Sequence, residues 1–284
     1  MLLPFYGVAK SAPQTGNIDL VQTEAESYYR KLGEGRYEST IHAQGAWNPN
    51  EQHMAPVSGI LVRELEAFSP RPDLRMARIN FDILGMIPGG EFSIECKVLR
   101  PGKTIELVQA EMIASGRAAV RATAWCLQRS DTTAVAGLGD AAMPSLSEAT
   151  SAQGLAEWPG GYIRSIDLQS VPGAVPGRGQ SWLRGRYAMV EGEPTEDLVK
   201  LIGVADTANG IAPRIAPGEG TYIYPNTDLS IHLYREPEGE WLGLDTSVTF
   251  GSDGVGLTSS VLNDHRGPFG RAEQILTVRA TTQQ

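Results

Sequence analysis

The sequence is poor in the residues that most often announce a mechanism. Among 284 residues it has 2 cysteines, Cys96 and Cys126. Two cannot build a disulfide framework, and without a CxxC spacing they offer neither a zinc site nor a redox couple. Both lie in strand-like runs, where a buried free thiol is the ordinary role. The 4 histidines, His42, His53, His232 and His265, form neither HExxH nor another metal spacing. His232 falls on the polar face of its strand, a solvated position, whereas His53 begins a helix and could face a pocket. No apolar run reaches about 18 residues, so no helix spans a membrane. The opening "MLLPFYGVAK" lacks a basic stretch followed by a long apolar run, so it does not read as a secretory signal, and a reducing cytoplasm is the expected location. Positive charge is short as well: 24 Lys and Arg stand against 33 Asp and Glu, a net charge of −9. Such a surface repels phosphate backbones and argues against a nucleic-acid partner. GxSxG, GxGxxG and GxxxxGK[ST] are all missing, which removes the nucleophile elbow, the dinucleotide fingerprint and the P-loop.

What is present is a globular composition, 41% hydrophobic and 20% charged, and a pattern. "GRYESTIHAQGAW" (35–47) is strand-like. In "NPNEQHMAPVSGILVRELEAF" (48–68), Met54, Val57, Leu61, Leu65 and Phe68 recur at three- and four-residue steps, which predicts a helix. Asn48 or Asn50 is the expected cap, and Pro70 and Pro72 close the helix. In "RMARINFDILG" (75–85), Ile79, Phe81 and Ile83 alternate with Arg78, Asn80 and Asp82, one face buried and one wet. "EFSIECKVLR", "KTIELVQAEMIAS" and "RAAVRATAWCLQR" follow across "PGG", "PGK" and "SGR", separators short enough to predict an antiparallel meander of hairpins. Residues 130–160 are small, polar and glycine-rich without a period, and read as a linker.

The second half repeats the plan. "GQSWLRGRYAMV" (179–190) is a strand and "PTEDLVKLIGVADTANGIA" (194–212) a single helix. "NTDLSIHLYR", "GEWLGLDTSVTFG", "GVGLTSSVLND" and "GRAEQILTVRA" then form a second meander. A long apolar helix among antiparallel strands must bury itself in the sheet, so the sheet has to wrap around it. The expected fold is therefore α+β, a tandem (double) hotdog: two antiparallel sheets, each wrapped around a central helix. The expected division is 1–129 for the first hotdog domain, 130–160 for the linker and 161–284 for the second.

One stretch breaks the pattern. "LVKLIGVADTANGIAP" (198–213) is apolar almost all the way round, as a buried helix should be, yet Asp206 shares a stripe with Leu198 and Ile202. A buried acid is rare, and it is either paired or functional.

At these residues the chain resembles the double-hotdog acyl-CoA thioesterases, the type II or TesB-like group, within the thioesterase-like superfamily. The carriers are "ARINFDILGMIPGGEFSIECKVLRPGKTIELVQAEMIASGRAAVRATAWCL" in the first half, and "VADTANG", "NTDLSIHLYR" and "GRAEQILTV" in the second. The resemblance implies a site in which an Asp on the second helix, a Thr on the next strand and a Gln on the last strand hold the attacking water. Asp206 matches the Asp and Gln274 the Gln. The Thr position differs: aligned by Asp228 and Arg235, it holds Asn226, while Thr227, one step along, points to the opposite face. The substrate implied is acyl-CoA or another acyl thioester, such as one on acyl carrier protein. No metal or redox cofactor is implied, and a homo-oligomer is.

Asp206, Gln274 and Asn226 are thus the candidate catalytic residues; no substrate-binding residue is assigned. Each has a plain alternative. Asp206 could accept hydrogen bonds from the next segment, Gln274 could be an exposed strand residue, and Asn226 a turn residue after Pro225. Two other functions remain open: a non-catalytic acyl-CoA-binding or assembly protein, favoured by the missing Thr, and a dehydratase or cyclase acting on a carrier-bound chain. "DHRG" (264–267) reads as a hairpin turn, and the first half offers no matching acid.

Overall fold

The computed structural model describes residues 26–46, 48–68, 70–151, 159–215 and 222–280. The polar lead before residue 26 and residues 152–158 of the expected linker lie outside them.

The first half opens with a hairpin of β1 (Ser27–Gly33) and β2 (Arg36–Ser39), turned at Gly35 with φ of 61°. A side chain disfavours that left-handed conformation. Helix α1 (Met54–Phe68) follows, and everything from Met54 to Val62 in it is buried. Its start differs from expectation. The helix begins six residues after Asn48, and the imidazole of His53 caps it, with the Ala55 N–H donating to Nδ1 at 3.1 Å. Asn48 instead accepts from the Asn50 N–H in a local turn ahead of the helix.

Strands β3 (Leu74–Ile83), β4 (Glu91–Arg100), β5 (Ile105–Ala114) and β6 (Arg117–Gln128) come next, within a residue or two of the pattern read from the sequence. β4, β5 and β6 form a meander. β3 does not join it at β4: it pairs with β6, while β4 pairs with β2. The "PGG" segment is therefore a crossover rather than a hairpin. Its backbone groups bond to the lead-in of α1, with Gln52 N–H donating to Ile87 O at 2.8 Å and the Gln52 amide to Pro88 O at 2.7 Å. A flat meander would leave α1 exposed on one side; the crossover lets the sheet close around it.

The second half contains β7 (Thr150–Ser151), α2 (Gly161–Arg164), β8 (Ile166–Ser170), β9 (Arg178–Gly185), β10 (Ala188–Val190), α3 (Asp197–Ala205), α4 (Ala208–Ile211), β11 (Tyr222–Ile223), β12 (Asp228–Leu233), β13 (Leu242–Phe250), β14 (Val255–Asp264), β15 (Gly267–Thr277) and β16 (Arg279–Ala280). β12 again leaves its expected neighbour β13 and pairs with β15. Its other edge bonds to β3, with Ile231 opposite Ile79 and Leu229 opposite Phe81. The two hotdog sheets therefore meet edge to edge as one 14-stranded sheet, in the order β10-β1-β2-β4-β5-β6-β3-β12-β15-β14-β13-β9-β8-β7. At the far end β10 pairs in parallel with β1, so the second half also touches the first there. The segment read as a linker is partly structured: Met143 is buried against Val171 and Trp182, and β7 adds to the sheet edge.

Inside the sheet α1 and α3 pack on each other. Gly59 and Gly203 face one another at the crossing, where a Cβ on Gly59 would sit 3.0 Å from the Cα of Gly203. Ser58 Oγ lies 2.9 Å from Ile202 O across the same contact, its one proton shared between that carbonyl and Ala55 O at 2.7 Å. The backbone approach that two glycines allow brings the start of α1 beside the end of α3.

Candidate functional site

The helix expected over 194–212 is in two pieces, and the break is at the acid. α3 ends at Ala205, Asp206 is its C-cap, and α4 begins at Ala208. Thr207 makes the break: its N–H and its hydroxyl both donate to Val204 O, at 3.3 and 2.8 Å, a tightened turn that stops the α-helical ladder. Asp206 therefore sits at a helix end, with its carboxyl still buried.

All three candidates meet. Asn226 Nδ2 donates to Asp206 Oδ1 at 2.8 Å, and Gln274 Nε2 donates to the same oxygen at 2.8 Å. Gln274 is buried, on the inward face of β15. Asn226 lies just before β12, bridged to Leu276, and its amide also donates to Asp228 O at 3.0 Å. Thr227 is exposed, on the opposite side of the chain. The amide at 226 thus reaches the carboxyl from the position where the resemblance places a threonine.

Burial pushes the Asp206 carboxyl up to about 7 from 3.8, the two amide donors restrain the rise, and the charge of Asp228 adds to it. Two polar atoms nearby have no partner: Gln274 Oε1 and the hydroxyl of Thr258, both buried. Thr258 is directly across the strand pair from Gln274 and shares its face. Unpaired buried polar atoms are costly, and a polar site of this kind suits a small polar guest such as water.

Sequence reasoning left His53 as a residue that could face a pocket, and did not single out Tyr162. His53 Nδ1 lies 3.7 Å from Asp206 Oδ2, and its ring stacks on Tyr162 with centroids 4.1 Å apart. The separation is within ion-pair range, but the pair is not ionic. Nδ1 accepts the Ala55 N–H and so carries no proton, and burial lowers the imidazole to about 3. Tyr162 is fully buried and donates to Thr207 Oγ1 at 2.6 Å, since the Thr207 proton already goes to Val204 O. One tyrosine therefore holds both the histidine and the turn that bears the acid. No period or spacing marks these residues, because they come from three segments far apart in the chain.

His232 and His265 are exposed. "DHRG" is the β14–β15 turn, and its buried Asp264 is bound by both arms of Arg235 at 2.5 and 2.6 Å. Cys96 and Cys126 are free and half-buried. Among the described residues no group of His, Cys, Asp and Glu could hold a metal ion. Four of the larger concavities are lined by other residues, the one beside Trp182 and Trp241 having a volume of about 630 Å³. Its buried acid, Asp264, is already paired, so the chemistry points to Asp206 and not to that cleft.

Two family models match the chain, one for an acyl-CoA thioesterase N-terminal domain over residues 43–127 and one for an acyl-CoA thioesterase C-terminal domain over residues 141–278. The chain belongs to the acyl-CoA thioesterase family. Solved structures agree on the fold. An acyl-CoA thioesterase II, TesB2, from Mycobacterium marinum is 18% identical with a TM-score of 0.63, over 90% of this chain and 96% of that one. A hotdog-fold protein of unknown function from Alicyclobacillus acidocaldarius is 13% identical with a TM-score of 0.69, over 88% and 95%. The tesB protein of Mycobacterium avium subsp. paratuberculosis is 16% identical with a TM-score of 0.60, over 88% and 96%. A search of curated protein sequences finds no significant match. Membership of this family makes the chain a thioester hydrolase with a tandem hotdog fold.

Proposed function

We propose that Asp206 is the general base of this acyl-CoA thioesterase and that Asn226 and Gln274 hold it and its water. The observation that carries the reading is the buried carboxyl with two amides on one oxygen. With Oδ1 occupied, Oδ2 is the oxygen left to take a proton. A base near neutrality combines a sizeable ionised fraction with useful proton affinity. The water gives its proton to Oδ2 as its oxygen bonds to the thioester carbon. The tetrahedral intermediate then collapses, the C–S bond breaks, and the proton on Asp206 passes to the departing sulfur. Gln274 Oε1 is the unpaired acceptor that orients the second water proton. No covalent acyl-enzyme is needed, because the attacking group is the water.

The carrier proposed is CoA, from the family. A homo-oligomer is supported by Leu257 and Ile275, a cross-strand pair exposed on the outer face of β14 and β15 beside exposed Val255. Two free thiols favour a reducing cytoplasm, and no helix among the described residues is long and apolar enough to cross a membrane. Fatty-acid metabolism is the setting that this substrate class suggests.

The test is thiol release from a straight-chain acyl-CoA series by the wild type and by Asp206→Asn. We expect turnover of at least one ester, reduced about 10²-fold or more in the variant. Acyl-CoA binding without release in the wild type would instead favour an acyl-binding protein, and unchanged turnover in the variant would remove Asp206 from the chemistry.

A further inference from the structure

Thioester hydrolysis needs a donor for the carbonyl oxygen as well as a base for the water. Most donors around Asp206 are engaged. The Asn226 amide serves Asp206 and Asp228 O, the Gln274 amide serves Asp206, the Thr207 hydroxyl serves Val204 O, and the Tyr162 hydroxyl serves Thr207. His53 is different. Its backbone N–H is bound to Ala43 O at 2.8 Å and its Nδ1 accepts from Ala55, so both near-side groups are fixed. An imidazole with Nδ1 as acceptor carries its proton on Nε2. The side chain keeps 16% of its surface exposed against 5% for Asp206, so the ring is the outer member of the pair.

We propose that His53 is a catalytic residue whose Nε2–H donates to the thioester carbonyl oxygen, the imidazole being held neutral and correctly oriented by the helix α1 N-terminus and the Tyr162 ring. The inference rests on Asp206 being the base. Its logic is a division of labour on one ring. The Nδ1 side faces the helix amide and the carboxyl, and the Nε2 side is left for the substrate. As the water attacks, the carbonyl π electrons move onto oxygen, and a donor already in place stabilises them without reorganisation. A neutral imidazole also leaves the base strong, because an imidazolium beside Asp206 would favour its ionised form and weaken it as a proton acceptor. The same neutral-imidazole electrophile, set by a helix N-terminus, is known from triosephosphate isomerase.

Two substitutions separate this role from capping. In His53→Asn the side-chain oxygen can still accept the Ala55 N–H, but the distal donor is gone. In His53→Gln the amide reaches the Nε2 position and the cap is lost. A catalytic donor gives a stable His53→Asn with kcat reduced about 10²-fold and KM little changed, while His53→Gln melts lower yet keeps the larger share of kcat. A purely structural histidine gives the reverse: His53→Asn fully active, His53→Gln weakened only through its stability. Nitrogen NMR of the wild-type histidine ring provides a reading free of any variant. The proton is expected on Nε2 throughout about pH 5 to 8, and a proton on Nδ1 or a titration within that range would overturn the proposal. Asp206→Asn, run beside these, keeps the two claims apart. If it abolishes turnover and His53→Asn does not, only the donor role fails; if it leaves turnover intact, the base itself is wrong.

Discussion

At the scale of single residues, the acid at position 206 combines two opposed demands. Burial raises its pKa to about 7 from 3.8, which makes it a useful base and a poor contributor to stability. In the unfolded chain the group ionises near its ordinary value, so the folded protein loses stability as pH rises from about 4 towards 7, and the full penalty persists above that. Asp206→Asn is therefore expected to melt higher than the wild type near pH 8, with the difference fading near pH 4, where both side chains are neutral. Thermal melts at the two pH values check this; an equal shift at both would mean that ionisation is not the cause. Tyr162→Phe keeps the ring against His53 and removes the hydroxyl bond to Thr207. It is expected to lower stability by about 1 kcal/mol, as urea denaturation would read. Asp206 was legible in the sequence because a carboxyl among apolar helical positions violates a pattern. Gln274 was legible only through the family resemblance, since a glutamine on a strand violates nothing. Tyr162 was not legible, because its role depends on a stacking partner more than a hundred positions away.

At the scale of elements, the site exists because two helices cross closely. Gly59 and Gly203 let α1 and α3 approach until the His53 end of one lies beside the Asp206 end of the other. Gly59→Val drives side-chain atoms into the Met189 methyl and against the backbone of Gly203. Overpacking of this kind typically costs about 1–3 kcal/mol, and the expected result is a lower urea midpoint together with a loss of turnover larger than the fall in folded fraction. The meander strands were read closely from alternation and turn residues, but the run from Gly35 leaves its strand at Ser39 for a 3-10 turn at Ile41–Ala43, and 179–190 breaks into β9 and β10, which pair with different neighbours. Strand partners were not read closely. "PGG" has the length and composition of a hairpin, but local chemistry cannot reveal that its amides and carbonyls are needed by the lead-in of α1. The start of α1 and the continuity of the second helix were misread for a similar reason, while the stop of α1 at Phe68 was read correctly. A histidine is an uncommon cap beside Asn or Ser, and the break at Thr207 arises from a hydroxyl returning to Val204 O, which propensity does not foresee.

At the scale of the whole molecule, the repeated plan in the sequence translated into two hotdog halves, but their union did not show. β3 and β12 join the two sheets through five paired positions, β1 and β10 pair at the other end, and the helix crossing ties the interior. The pair proposed for the active site is itself split between the halves: His53 comes from the first and Asp206 from the second. The two halves are therefore expected to unfold together. Trp47 and Trp125 lie in the first half and Trp158, Trp182 and Trp241 in the second, so variants retaining tryptophan in one half alone can report each separately. Coincident urea transitions are expected, and two separated transitions would mean that the seam is not what holds the halves.

The base at the centre of this reading is tested most directly by the pH dependence of kcat/KM for thiol release, which reports the ionisations of the free enzyme. An acid limb centred on about pH 7, with kcat/KM falling tenfold per unit below it, is expected for the wild type, and a low, flat profile for Asp206→Asn. A limb at the ordinary carboxylate value, or the same limb surviving in the variant, would contradict it.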